Sequence, residues 1–465
     1  MKATNPRTGE ADHDFAAAAP AQVAQTVAGL RQRQPEWEGR GAEGRAEILR
    51  RFAAEVERRA DGIAAALAID TGRTAIARIE VETLQRTLHR WAARAPELLA
   101  ALPRDPAPSL TPGIAITPRW SAYPLFGAIA PWNFPVILSH IDAVPALVAG
   151  CAALVKPSEV TPRFVEPLLD ALEAVPDLPL RYVLGGAETG QALVEQVDYI
   201  CFTGSTSTGR KVAQAAARRL IPANLELGGK DALIITASAD PVKAAQIALR
   251  ASVVATGQAC QSIERIYVAQ AIADPFLSEL VRLASAVRLA PEGGQLGPFI
   301  FAAQADKVAG QIADATARGA TVLTGGTVER IGGGAYLRPT VLSGVTPDMA
   351  VMREETFGPV LPVTVFGDVA EAVALANTGE YGLSAAVIAG TAEEAERIGE
   401  RLDAGAVSLM DAGLTTYVGD ATNHSRRASG LGPSRMGDEG LLRFLRRQAL
   451  IRQDGEPLPL AAYGA

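Results

Sequence analysis

The sequence predicts an α/β protein of two lobes with a cleft between them. Three observations lead there. The chain has 465 residues, more than one ordinary domain holds. From residue 127 onward short apolar runs alternate with helical stretches, the pattern of a parallel sheet covered by helices. A second run of the same kind begins at Asp231-Ala-Leu-Ile-Ile-Thr236 and continues to about residue 430.

Taken in order, residues 20–68 read as helical. Ile48, Leu49, Phe52 and Val56 share one face, with Arg50, Arg51 and Glu57 away from it. The proline-dense stretch from Pro103 to Gly113 breaks that region and leads into a short strand or crossover. Strands are then expected at Gly127–Ala130, Ala152–Val155, Tyr182–Leu184, Asp198–Phe202 and Asn224–Glu226. Helices are expected between them over 135–150, 161–173, 187–196 and 206–219. The second lobe's strands include Arg265–Val268, Leu361–Phe366, Ser384–Ile388 and Ala406–Met410. A cleft between two such lobes is the usual place for a small-molecule site.

Composition narrows the function. Hydrophobic residues make up 48% and charged residues 20%, ordinary for a folded globular protein. The net charge of −7, with no long basic run, argues against nucleic acid or an anionic membrane as partner. Cys151, Cys201 and Cys260 cannot all pair within one chain, which points to a reducing cytoplasm. The N-terminus has no apolar core behind its charges, so no signal peptide is expected. The apolar run Val144–Val155 is too short to span a bilayer. The four histidines lack metal-ligand spacing, so no metal site is expected.

The chemistry concentrates in a few short segments. Cys260, in Gly257-Gln-Ala-Cys260, sits at a break between a helical run and a strand starting near Ile263, where a thiol can face a cleft. Cys151 and Cys201 fall in or beside strands and are expected to be buried. Glu226 lies 34 residues before Cys260, among Leu225, Leu227, Gly228 and Gly229. An apolar setting would raise its pKa and suit a base that activates water. The glycines allow close backbone approach. Asn133, in Pro131-Trp-Asn-Phe-Pro135, is a proline-locked amide able to donate to an oxyanion. Phe202-Thr-Gly-Ser-Thr206 joins a strand to a helix start, where free N–H groups favour a diphosphate. Lys156-Pro-Ser-Glu159 ends the preceding strand and can hydrogen-bond ribose hydroxyls. Phe134, Leu138 and Ile141 follow the Asn133 turn at helical spacing and suggest an apolar substrate tunnel. A carboxylated substrate would instead call on Arg426, Arg427 or Arg435.

These segments, with Asn5-Pro-Arg-Thr-Gly-Glu10 and Glu354-Glu-Thr-Phe-Gly-Pro359, are seven motifs in the order of the aldehyde dehydrogenase superfamily. The chain resembles that family over nearly its whole length. The resemblance implies a variant Rossmann coenzyme lobe (1–103 and 123–228), an α/β catalytic lobe (229–430) and a β oligomerisation arm (104–122 and 440–465). It implies Cys260 as nucleophile, Glu226 as base for deacylation and Asn133 as oxyanion donor. The dinucleotide would be held by Trp132, Lys156, Ser158, Glu159, Gly204, Ser205, Leu227, Glu355 and Phe357, the last two at the nicotinamide ribose and ring. The coenzyme expected is NAD, with NADP disfavoured by Glu159. The expected assembly is a homodimer or homotetramer.

Two positions depart from the family pattern. Met410 stands where many relatives have asparagine, and the glycine segment 428–437 runs on into Leu441-Leu-Arg-Phe-Leu-Arg-Arg447. The expected activity is oxidation of an aldehyde to its acid through a Cys260 thioester. A CoA-acylating relative is disfavoured because that branch generally lacks a base at the position of Glu226. A catalytically silent relative is disfavoured by the intact Cys260, Glu226 and Asn133.

Overall fold

The computed structural model describes residues 1–463, so the last two residues of the expected arm, 464–465, lie outside the described residues. After a hairpin of β1 (Lys2–Thr4) and β2 (Ala11–Asp14), four helices follow: α1 (Pro20–Gly39), α2 (Gly41–Arg58), α3 (Ala60–Thr71) and α4 (Thr74–Ala100). In α2 the face Ile48, Leu49, Phe52 and Val56 is buried, and Arg50, Arg51 and Glu57 are exposed. Helix α4 lies beyond the expected helical span. Its buried stripe Ala77, Val81, Leu84, Leu88, Ala92, Ala95 and Leu99 keeps the helical period over 27 residues.

The proline-dense stretch leads to β3 (Ala107–Pro108) and β4 (Ile114–Ala122). Strand β4 is longer than expected because it has a long partner. It pairs antiparallel with Leu445–Gln453, from Leu445↔Ala122 to Gln453↔Ile114. Arg447 lies over the Trp120 ring at 4.5 Å and Arg446 over Tyr123 at 5.7 Å.

The first lobe is built on β5 (Leu125–Ile129), β6 (Ala152–Lys156), β7 (Leu180–Tyr182), β8 (Tyr199–Thr203) and β9 (Ala223–Glu226). They run parallel in the order β9-β8-β5-β6-β7. The connecting helices are α5 (Pro135–His140), α6 (Ala143–Ala149), α7 (Val165–Glu173), α8 (Ala187–Val194) and α9 (Thr206–Arg219). The chain winds outward from β5 through β6 to β7, then returns to β8 on the other side. The crevice beyond the carboxyl ends of β5 and β8 is therefore the switch point where such sheets bind ligands. The helix expected over 135–150 is broken at Ile141-Asp142, where the buried Asp142 carboxylate takes two guanidinium groups. The helix expected over 161–173 starts only at Val165, because a residue before proline, here Thr161 before Pro162, disfavours the helical region.

The second lobe holds a seven-stranded sheet around β10 (Asp231–Ile235) and β11 (Ile263–Ala269). Beside β11 lie Val360–Phe366, Thr340–Ser343 and Thr321–Thr324; beside β10 lie Ser384–Ile388 and Ala406–Leu409. Only the Thr321–Thr324 edge is antiparallel. The last strand stops at Leu409, one residue short of expectation, because Met410 turns away at φ 60, a conformation uncommon outside glycine and asparagine. Residues 229–430 hold all seven strands, but their last residue, Gly430, pairs antiparallel with Glu226 of β9, tying the C-terminal segment to the first lobe. Among the described residues no helix is long and apolar enough to cross a membrane.

Candidate active site

Cys260 follows α10 (Pro241–Val253) and a tight turn at Val254–Gly257. Ala255, Thr256 and Gly257 all have positive φ (57, 60 and 67). A Cβ on Gly257 would lie 2.4 Å from the Gly358 carbonyl, so the turn is pressed against the Glu354–Pro359 segment. Gln258 pins the loop: its side chain accepts from Ile300 N at 2.9 Å and donates to Pro298 O at 3.3 Å. Cys260 is half-buried, whereas Cys151 and Cys201 are buried. Burial first, then the carboxylates of Glu355, Asp231 and Glu226, push the Cys260 thiol up to about 12, against the pull of Arg435.

Asn133 is buried on the loop after β5. Its side-chain amide donates to Gln258 O at 3.0 Å, two residues before Cys260. That uses one of its two N–H bonds. The turn after β9 reaches the same place. A Cβ on Gly229 would lie 2.6 Å from the Cys260 carbonyl oxygen, and one on Gly228 2.9 Å from the Glu355 carboxyl. Glu226 does not meet the apolar setting expected from Leu225 and Leu227. On a strand its neighbours point to the opposite face. Its half-buried carboxylate instead accepts from Ser425 Oγ at 2.5 Å.

The expected dinucleotide residues lie at or just after the carboxyl ends of β5, β6, β8 and β9 and in the Glu354–Pro359 segment. The Lys156 ammonium donates to Glu159 at 3.2 Å, and burial lowers its pKa against the opposing pull of Glu159. Ser158 Oγ accepts from Val160 N at 3.2 Å. Ser205 caps α9 through Thr208 N and is exposed beside Gly204. A Cβ on Gly204 would strike the Phe202 ring at 2.6 Å, and one on Gly209 would strike Leu227 at 2.4 Å. The buried Leu227 thus packs α9 onto the sheet. Glu355 accepts from Gly229 N at 3.2 Å, and burial with the nearby Glu264 raises its pKa to about 7. Phe357, at φ 58, stands edge-on to Trp132 at 5.4 Å. An exposed helix start, an ion pair at a strand end and a glycine-backed carboxyl at the switch point fit a dinucleotide.

Two buried supports have no local signature in the sequence. Lys230 donates to Glu264 at 2.7 Å, and Glu264 accepts from the backbone N–H groups of Thr356 and Phe357, each at 2.7 Å. Glu80 accepts from Val136 N at 3.0 Å and Ile137 N at 3.3 Å. Arg73 donates to the Asn133 carbonyl and lies over the Phe134 ring at 5.1 Å. Arg73, Glu80 and Glu264 belong to none of the segments that the sequence singles out.

A cavity of 760 Å³ opens beside Cys260, bounded by Ala259 and Gln261. Phe134 and Ile141 line it, but Leu138 does not. Ile137 takes its place, since Phe134, Ile137 and Ile141 follow the helical face at spacings of three and four. Arg435 reaches the wall; Arg426 and Arg427 do not, and both pair with Asp403. Asp142 holds Arg435 at 2.6 Å and Arg443 as well.

Known proteins resemble the chain over most of its length. The model of the aldehyde dehydrogenase family matches residues 1–450. A Mycolicibacterium smegmatis protein provisionally named succinate-semialdehyde dehydrogenase (NADP(+)) is 38% identical, over 92% of this chain and 84% of its own. A structure from Anabaena variabilis, provisionally assigned as aldehyde dehydrogenase PutA, superposes with a TM-score of 0.95 at 45% identity. The match covers 99% of this chain and 98% of that one. Betaine aldehyde dehydrogenase from Staphylococcus aureus, solved with NAD+, matches with a TM-score of 0.92 at 26% identity, over 98% and 92% of the two chains.

Proposed function

The chain belongs to the aldehyde dehydrogenase family, and from that membership we propose that it oxidises an aldehyde to the carboxylic acid with NAD, through a thioester on Cys260. The observation that supports this reading most directly is the meeting of three loops. The Asn133 amide bonds the Cys260 loop at Gln258 O, and Gly229, three residues after Glu226, abuts the Cys260 backbone.

In this reading the Cys260 sulfur, as thiolate, adds to the aldehyde carbon, and the remaining N–H of Asn133 takes the oxyanion. When bound along Lys156, Glu159, Ser205, Glu355 and Phe357, with Trp132, Ser158, Gly204 and Leu227 around it, the oxidised dinucleotide supplies the acceptor for the aldehyde hydrogen as hydride. Cys260 is then acylated. Glu226, oriented by Ser425, removes a proton from water as the water oxygen adds to the thioester carbon. The carbon–sulfur bond breaks and the acid leaves. NAD is preferred because the Glu159 carboxylate suits ribose hydroxyls and repels a 2′-phosphate.

Glu226→Gln tests the assignment. It should release about one equivalent of reduced dinucleotide per site and then stall, with the acyl adduct visible by intact mass. Steady turnover without a stall overturns the role of Glu226. A requirement for CoA would instead support an acylating enzyme, and no reduced dinucleotide from wild type would support a silent relative.

A further inference from the structure

One face of α4 lines the cavity beside Cys260, and its chemistry changes along the helix. Ile76 and Ile79 come first, then Thr83, Arg86, Thr87 and Arg90. The spacings of three and four keep all six on one stripe. The apolar end lies near the reacting centre, because Arg73 and Glu80 of the same segment hold the Asn133 loop. At 1.5 Å per residue, Arg86 and Arg90 begin roughly 9 and 15 Å beyond Glu80 along the axis.

The charges lining the cavity are one-sided: four arginines and no aspartate or glutamate. Arg250 pairs closely with Asp411, and Arg435 shares the buried Asp142 with Arg443. Arg86 and Arg90 lack a close carboxylate. The nearest carboxylate to Arg86 is exposed Glu82 at 4.0 Å, and Arg90 has no ion pair among the described residues. Arg90 instead donates to Gly419 O at 2.9 Å and lies over the Trp91 ring at 5.2 Å, which holds its guanidinium at the wall. Ile79, Val254, Tyr417 and Val418 line the same cavity and are exposed large hydrophobic residues, as a ligand groove requires.

We propose that Arg86 and Arg90 form a carboxylate subsite at the outer end of the cavity, so that the preferred aldehyde carries a carboxylate remote from its carbonyl across an apolar spacer. This rests on the reading of the cavity as the aldehyde's path to Cys260. It replaces the wholly apolar substrate expected from Phe134, Leu138 and Ile141. Guanidinium groups offer paired donors that match a carboxylate, and the inner isoleucines exclude charge from the middle of the chain.

The test compares kcat/KM for aldehydes of matched length: 6-oxohexanoate, hexanal and one ending in a quaternary ammonium group. In wild type the carboxylate should lead hexanal by on the order of tenfold, with the cationic aldehyde last and the lead shrinking as salt rises. In Arg86→Ala/Arg90→Ala the carboxylate-to-alkyl ratio should fall to about one. The ratio is the readout, so a general loss of activity cancels, and Arg86→Lys/Arg90→Lys should recover part of it. A wild-type preference for hexanal or the cation, or a ratio unchanged in the double alanine variant, overturns the subsite. If no aldehyde is oxidised, the catalytic reading fails. The subsite is then read by calorimetry with hexanoate against hexan-1-ol: a carboxylate preference lost in the double variant upholds it, and no preference overturns it.

Discussion

At Cys260 a thiol pushed up to about 12 must supply a thiolate near neutrality. Below that value the thiolate fraction climbs about tenfold per pH unit. Alkylation by iodoacetamide in the absence of dinucleotide should therefore be slow at pH 7 and rise steeply towards pH 10. It should fall on Cys260 and spare buried Cys151 and Cys201. Peptide mapping across that range checks it; a rate that levels off near pH 8 would mean an activated resting thiol. Glu159 carries the second prediction at this scale. Wild type should favour NAD over NADP in kcat/KM, and Glu159→Gln should narrow the gap, mostly by improving NADP. Lys156, 3.2 Å from Glu159, makes this a preference and not a bar. A wild type that favours NADP would refute it.

Helix α4 does more than cover a sheet. Its Glu80, with Arg73 just before the helix, holds the first turn of α5 and the carbonyl of Asn133. Glu80→Gln keeps the shape but weakens acceptance of two N–H groups. The expected result is a fall in kcat of roughly 10- to 100-fold, with dinucleotide affinity held. Equal losses in both would make Glu80 merely structural. Burial also raises the Glu80 pKa from 4.5 to about 7, against the pull of Arg73. Because the folded pKa is raised, the protonated carboxyl favours the folded state below about 4.5, and that contribution is lost as pH rises to about 7. Thermal melts should show wild type losing stability relative to Glu80→Gln over that window. No local pattern announces this support. Its partners stand 56 and 60 residues apart, and only the three-dimensional path brings them together. The elements legible in the sequence carried local signals: Ser384–Ile388 as an apolar run, and α9 between the Ser205 cap and its basic last turn. Strand β4 was expected only as a short strand or crossover, and Pro118 within it hides its full length.

The whole molecule divides its signals in the same way. The two α/β lobes follow from alternation, and the Cys260, Glu226 and Asn133 segments from their motifs. How the C-terminal segment returns to the first lobe depends on pairings more than 190 residues apart, such as Gly430 with Glu226. The ribbon of β4 and Leu445–Gln453 is the extreme case. A chain ending at Gly437 lacks that partner strand, along with buried Leu441 and Phe444. It should lose several °C or more in Tm and show altered mass in sedimentation, while an unchanged melt would mean that the ribbon does not support the first lobe.

That pairing has a consequence in time. Ile114–Ala122 leaves the ribosome early, yet its partner begins only at residue 445. At ~5–20 residues per second, the strand waits on the order of half a minute with an unpaired edge. Its Pro118, Arg119 and Ser121 are poor material for a sticky edge. Synthesis from stalled messages of increasing length, followed by protease, should find the first lobe resistant only after the last strand has emerged.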